Sequence, residues 1–264
     1  MRLTALIAVI GTFCALTCVS AQPTLAPPQM GFVQDSGRSV RPAYGVAGNF
    51  VLGPPIAEGV VTHAFSGSLE LVKTTSSLAA FNSQGKLLAS VNASAGPALF
   101  GFSPDGTMAL AYLPSSNTLL EWSGSAFVPL SLDLDQLAAG SVLAIAFPSQ
   151  SEASFIVERN GDIWESALPL GNAGAASEIA LPGVHAPLLA LPSGDLLYTN
   201  STGIVIQRPD ASQVHILASL PASLSLHQMG ADWVELMDLK SFARFAIRAT
   251  AGREAFYRLP ESSR

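Results

Sequence analysis

The residue types that could do chemistry are present but scattered. The four histidines, His63, His185, His215 and His227, stand far apart with no paired spacing and no His-Glu-x-x-His pattern, so no local zinc motif exists. A lone histidine on or beside an apolar strand is ordinarily a hydrogen-bonded structural residue. Glu121, Glu158, Asp162 and Glu165 lie on or near predicted strands and supply the acids that a paired-carboxylate hydrolase or lyase would need. Three of them fall towards the later, outer strands of their repeats, where solvated surface acids are expected. Asp133-x-Asp135 lacks the glycine and the distal glutamate of a calcium loop. There is no Gly-x-Ser-x-Gly elbow and no glycine-rich phosphate loop. Asn92-Ala93-Ser94 and Asn200-Ser201-Thr202 match a glycosylation acceptor, a pattern too short to carry weight. No catalytic, cofactor-binding or metal-binding residue is assigned, no cofactor is expected, and the balance is against an enzyme.

The best site candidate is basic. Between Lys240 and Arg264 stand six basic residues against Glu254 and Glu261. In the predicted strand from Phe242 to Ala249, Arg244 and Arg248 share parity and point to one face, with Phe245 and Ile247 on the other. Two guanidinium groups on one face suit an acidic protein partner or a small anionic ligand. The competing account is internal: pairing with acids of a neighbouring sheet, or a face whose aliphatic stems cover apolar surface.

The ends and the composition bound the rest. Arg2, an apolar stretch from Leu3 to about Val19 and the small-residue site Val19-Ser20-Ala21 read as an export signal cleaved after Ala21. A membrane anchor is the weaker reading, because Ser20, Gln22 and Pro23 follow without basic stop-transfer residues. Both cysteines, Cys14 and Cys18, lie inside the signal, so the mature chain is expected to hold no thiol and no disulfide. Lipid attachment at Cys18 is disfavoured by Thr17 before it. Removal of Arg2 leaves 12 basic residues against 19 acidic ones, a net charge of −7. That acidity argues against nucleic acid as a partner. Charged residues make up 12 % of the chain, against about 25 % in ordinary soluble domains, which fits short buried strands joined by tight turns.

What must position any site is a faint repeat of roughly forty residues, the spacing of one four-stranded propeller blade. The clearest copy starts at Ala98-Leu99-Phe100-Gly101-Phe102, turns at Ser103-Pro104-Asp105-Gly106 and runs through Met108 to Tyr112, Thr118 to Trp122 and Phe127 to Leu130. Asp-Gly and Ser-Gly pairs provide the positive φ angles of tight hairpins. The plan recurs from Leu143 and from Leu188, with the strand ends Phe102, Phe147 and Leu191 spaced 45 and 44 apart, and in looser copies near Val61 and Leu224. Met108 to Tyr112 is apolar at every position, so both faces should be buried. A β-sandwich strand would alternate, whereas sheets stacked face against face around an axis hide both sides of their inner strands. Helix is nearly absent. Leu132 to Gly140 is expected to make one or two turns, with Asp133 and Gln136 at capping-box spacing. Trp122, Trp164 and Trp233 are read as core anchors.

Phe102-Ser103-Pro104-Asp105-Gly106-Thr107 resembles the first hairpin of TolB-type and WD-like bacterial propeller repeats. The resemblance implies a blade turn and an all-β propeller; it carries no activity, because proteins sharing that hairpin do unrelated jobs. No Trp-Asp dipeptide closes any repeat. The expected architecture is therefore a β-propeller of four-stranded blades, five or six in number. It divides into a signal peptide (1–21), a linker with a possible blade-completing hairpin across Asp35-Ser36-Gly37 (22–59), and the blades (60–264). The expected role is a secreted or periplasmic binding or interaction scaffold without catalysis, monomeric and with no membrane span after cleavage. Its ligand would be an unknown protein or a small anionic or carbohydrate molecule at the axial mouth or on the loop-bearing face. Two alternatives stand beside it: a carbohydrate-active hydrolase or lyase or another propeller enzyme, and an envelope component docking an acidic partner through the basic C-terminal blade.

Overall fold

The computed structural model describes residues 27–46, 49–131, 134–137, 140–170 and 176–259; the expected signal peptide and Asp133 lie outside the described residues. Six antiparallel sheets make a propeller ring. The first has three strands, β1 (Gln29–Gln34), β2 (Val40–Val46) and β3 (Asn49–Leu52). Five four-stranded blades follow. Blade 1 holds β4 (Val60–Phe65), β5 (Leu69–Thr74), β6 (Ser77–Asn82) and β7 (Leu87–Asn92). Blade 2 holds β8 (Leu99–Phe102), β9 (Ala109–Leu113), β10 (Thr118–Trp122) and β11 (Phe127–Leu130). Blade 3 holds β12 (Ser141–Ser149), β13 (Glu152–Arg159), β14 (Asp162–Pro169) and β15 (Ser177–Ala180). Blade 4 holds β16 (Leu188–Ala190), β17 (Leu196–Asn200), β18 (Gly203–Gln207) and β19 (Gln213–Leu217). Blade 5 holds β20 (Leu224–Gln228), β21 (Trp233–Asp238), β22 (Arg244–Arg248) and β23 (Ala255–Arg258).

Burial follows position in the blade. Every residue of β9 is buried, because its two faces pack against different neighbours: Ala109 and Ala111 towards blade 1, Leu110 and Tyr112 towards blade 3. The fourth strands face water instead, and β15 is exposed along its whole length while β19 alternates. Trp122 and Trp233 are core residues and Trp164 is half-buried. The turns use the chemistry that hairpins require. Asn160 and Gly161 both take positive φ, 54° and 87°, between the paired residues Arg159 and Asp162. In the Ser103–Thr107 turn, Asp105 Oδ1 accepts from Ser103 Oγ at 2.6 Å and from Thr107 N at 3.1 Å. Blade 1 braces the same turn, since Ser66 Oγ and Ser68 Oγ both donate to the Gly106 carbonyl, at 2.9 and 2.8 Å. The only helical pieces among the described residues are 3-10 turns at Pro114–Ser116 and Leu134–Leu137; the side chain of Gln136 is outside the described set.

The three-stranded sheet is wedged between blade 5 and blade 1. Phe32 and Val40 pack with Val60, Phe65 and Val72 of blade 1, while Val33, Ala43 and Phe50 pack with Met229, Trp233 and Ala246 of blade 5. Among the described residues it has three strands, and β4 and β20 contact each other. Five inner strands therefore surround the axis although six sheets form the ring. Entry of β1 into the wedge depends on Gly31, where a Cβ would lie 1.4 Å from the Met229 carbonyl oxygen. Next to it, Phe32 N donates to that oxygen at 3.2 Å.

Candidate functional site: the axial cavity and its charged seam

The first strands of the five blades line an axial cavity of about 180 Å³. Three walls are apolar, carrying Leu99 and Phe100 from β8, Leu143 and Ile145 from β12, and Leu188 and Leu189 from β16. The polar side chains come from the other two walls: Thr62 and His63 from β4, His227 and Gln228 from β20. All polarity is thus concentrated where the ring closes. Thr62 ties blade 1 to blade 2, its hydroxyl donating to Ala98 O at 3.2 Å and accepting from Ala98 N at 3.0 Å.

Behind His63 and His227 lies a buried charged network. His63 Nδ1 is 2.9 Å from Glu70 Oε1, and its Nε2 is 3.7 Å from Glu235 Oε2, with all three side chains fully buried. Burial opposes protonation of His63, but Glu70 and Glu235 outweigh it and hold its pKa up at about 9. Burial holds the Glu70 carboxyl above its ordinary value, although His63 pulls against it. His227 stacks on His63 with ring centroids 5.5 Å apart and planes inclined by 16°. Burial and the neighbouring His63 charge press its pKa down to about 4, so at neutral pH a neutral imidazole lies on a protonated one. His227 Nε2 and Ser225 Oγ are 3.1 Å apart.

Glu235 joins three sheets. Its Oε2 accepts the Gln34 backbone N–H at 3.3 Å, and its Oε1 lies 3.9 Å from Arg244 NH1. The same Arg244 nitrogen donates to the Gln34 carbonyl at 3.3 Å, so an ion pair of blade 5 brackets both peptide groups of the last β1 residue. From the other side, Gln34 Nε2 donates to Val60 O at 2.7 Å in blade 1. Among the described residues His63 Nε2, Glu70 Oε2 and Glu235 Oε1 have no hydrogen-bond partner.

Arg244 and Arg248 share the face of β22 that carries Ala246 and is turned to the three-stranded sheet, while Phe245 and Ile247 face blade 4. Arg244 is buried, with a relative exposure of 4 %. Arg248 is half-buried, its guanidinium 5.6 Å from the centroid of the Trp233 ring and its Nε donating to Thr250 Oγ1 at 3.0 Å. His185 and His215 are exposed and join nothing at the axis. Glu121, Asp162 and Glu165 sit on third strands and Glu158 on a second strand, none of them lining the axial cavity. Sequence reasoning did not single out Glu70, Glu235 or Gln34. A signal did exist: Leu69-Glu70-Leu71-Val72 and Trp233-Val234-Glu235-Leu236 each place one acid inside a second strand buried on both faces. Such an acid must be paired. Among the described residues, no group of three or more His, Cys, Asp or Glu has the geometry to hold a metal ion.

No family model and no curated protein matches the chain. Solved structures do. TolB from Acinetobacter baumannii superposes with a TM-score of 0.58 at 15 % identity, over 88 % of this chain and 63 % of that one. A chain of the nidogen–laminin complex superposes with a TM-score of 0.56 at 11 % identity, over 88 % and 93 %. The Cps50 (Swd1) propeller of Myceliophteria thermophila matches at a TM-score of 0.43 and 9 % identity, over 73 % of this chain and 65 % of that one. This chain thus spans about two thirds of the Swd1 and TolB chains that it matches. The likeness to TolB-type propellers first suggested by Phe102–Thr107 holds for the fold.

Proposed function

We propose that this chain is an exported, monomeric, non-catalytic propeller that serves as a binding scaffold for a protein partner. The observation that carries the reading is where the axial ionisable groups are committed. Glu70 and Glu235 flank His63, and Arg244 and Glu235 bracket the Gln34 peptide, so the acids and bases nearest the axis close the ring. A closed ring is a rigid disc whose turns and outer edges can hold a partner without rearranging. Apolar side chains exposed on the outer strands, including Val51, Ile179 and Leu217, add contact surface at the perimeter. One fold neighbour comes from a protein–protein complex, that of nidogen and laminin. Export is supported by Arg2, the apolar stretch to Val19 and the small residues before Gln22. No helix among the described residues is long and apolar enough to cross a membrane.

Of the two arginines singled out on β22, the half-buried Arg248 is the one an acidic partner could reach, while Arg244 works inside the seam. The test is photo-crosslinking of the exported chain with the reactive group placed in turn at Ser193 on the turn-bearing face and at Ile179 and Leu217 on the perimeter. The expected result is a discrete protein adduct from at least one position. Absence of any adduct, together with turnover of a glycoside or ester that Glu70→Gln abolishes, would overturn the reading.

A further inference from the structure

A second cavity lies away from the axis, between blades 3 and 4, and has a volume of about 260 Å³. It exists because small residues meet there: Ala146 and Ser154 of blade 3 oppose Ala190 and Gly194 of blade 4. Elsewhere in this seam Tyr198 and Val205 fill the space against Ile156. The walls are aliphatic, from Ile156, Leu181, Leu191 and Leu196, and the exposed residues Gly194, Pro209 and Ala211 put its mouth at the turn-bearing face.

Its charged groups are unevenly paired. At the rim, Arg208 is held by Asp195 at 2.5 Å and by Glu254 at 2.6 Å, and it also donates to Ala249 O at 2.8 Å. That cation is fully engaged and carries one carboxylate in excess. Inside, Glu165 projects from β14 and accepts from Ser154 Oγ at 2.5 Å through Oε1. Ser154 is itself buried, with 2 % exposure. Among the described residues Glu165 forms no ion pair, and its carboxylate is half-buried, with the Ser154 hydroxyl fixing Oε1. An aliphatic cleft ending in an uncompensated carboxylate, oriented by a buried hydroxyl, is the complement of a cation on an aliphatic stem.

We propose that this cavity binds an alkylammonium group, seated with its stem along Ile156 and Leu191 and its charge on Glu165. The volume is below the range of whole-ligand pockets, about 300–1,000 Å³, and matches one extended side chain or a short amine. Two sources present the same chemistry, a free amine or a lysine of a partner protein. The lysine source rests on the scaffold reading; the free amine does not.

The test is a methyl NMR titration of the mature chain, following Ala146, Ile156 and Ala190, with n-butylammonium, neutral 1-pentanol and acetyl-lysine-methylamide as probes. Saturable shifts with n-butylammonium are expected, at least tenfold weaker with 1-pentanol, and reduced at least tenfold by Glu165→Gln, which keeps the Ser154 bond. Equal binding of the alcohol, no effect of Glu165→Gln in a variant with an unchanged spectrum elsewhere, or no shifts at all would overturn the proposal. Binding of acetyl-lysine-methylamide at comparable strength supports a lysine reaching in from a partner. Binding of n-butylammonium alone supports a free amine and leaves the scaffold reading to its own crosslinking test.

Discussion

The imidazoles of His63 and His227 stack 5.5 Å apart across the seam where the propeller closes, one held protonated and the other held neutral. The pair gives the protein a stability optimum between two opposed titrations. His63 has its folded pKa raised from 6.5 to about 9, so its contribution is complete below pH 6.5 and disappears as pH rises towards 9. His227 has its folded pKa lowered from 6.5 to about 4, so its contribution is complete above pH 6.5 and disappears as pH falls towards 4. Glu70, Glu235 and Arg244 are the charged groups that set these shifts or lie against them. Urea midpoints should peak near pH 6.5 and fall on both sides, each limb worth on the order of 3 kcal/mol. His63→Gln should flatten the alkaline limb and His227→Gln the acid limb. Limbs that survive both substitutions would place the titrating groups elsewhere.

Glu235→Gln should be among the most damaging conservative changes in the chain. It leaves Arg244 buried beside a neutral amide and removes one of the two carboxylates that keep His63 charged. The expected loss is about 3–5 kcal/mol, typical of a broken buried pair. Adding Arg244→Met should recover part of it, because the buried cation that Glu235 balanced is then gone. Chemical denaturation of the single and double variants measures both; additive losses would deny the coupling.

Removing residues 23–55 should yield insoluble protein. The deletion strips the cover from Val60, Phe65 and Val72 on one side and from Met229, Trp233 and Ala246 on the other. It also leaves Glu235 and Arg244 without the Gln34 peptide. A soluble product with a single cooperative melting transition would show that five blades close without the wedge. The point substitution Gly31→Val tests the same contact more finely and should lower stability sharply, because there is no room beside the Met229 carbonyl.

Arg248→Glu should leave folding nearly intact and weaken partner capture. The side chain is half-buried, and its stacking on Trp233 and weak approach to Asp232 are each worth about 0.5–1 kcal/mol. A melting temperature close to the wild type with the crosslinked adduct lost is the expected pair of readings. Undiminished adduct would remove Arg248 from the docking surface.

Strands and turns were legible because their signals are local. Copies predicted to start near Leu188 and Leu224 begin at those residues, and the strand expected over Met108–Tyr112 is buried on both faces as Ala109–Leu113. The turn at Phe102–Thr107 uses Asp105 in the way its residue types suggest. The seam was not legible in the same way. Gln34 and Glu235 are 201 positions apart, and nothing near either residue reports the other. The four acids that stood out beside strands, Glu121, Glu158, Asp162 and Glu165, stay off the axis, and one of them lines the inter-blade cavity instead.

The amino-acid order alone settled the type of architecture, since unbroken apolar runs, strand length and turn residues act within a few positions of chain and recur along it. Only the closed ring decided which charges meet. Blade 1 and blade 5 become neighbours through closure around the axis, and burial there couples His63 and His227, one pKa raised and the other lowered, two groups that water would otherwise have kept independent.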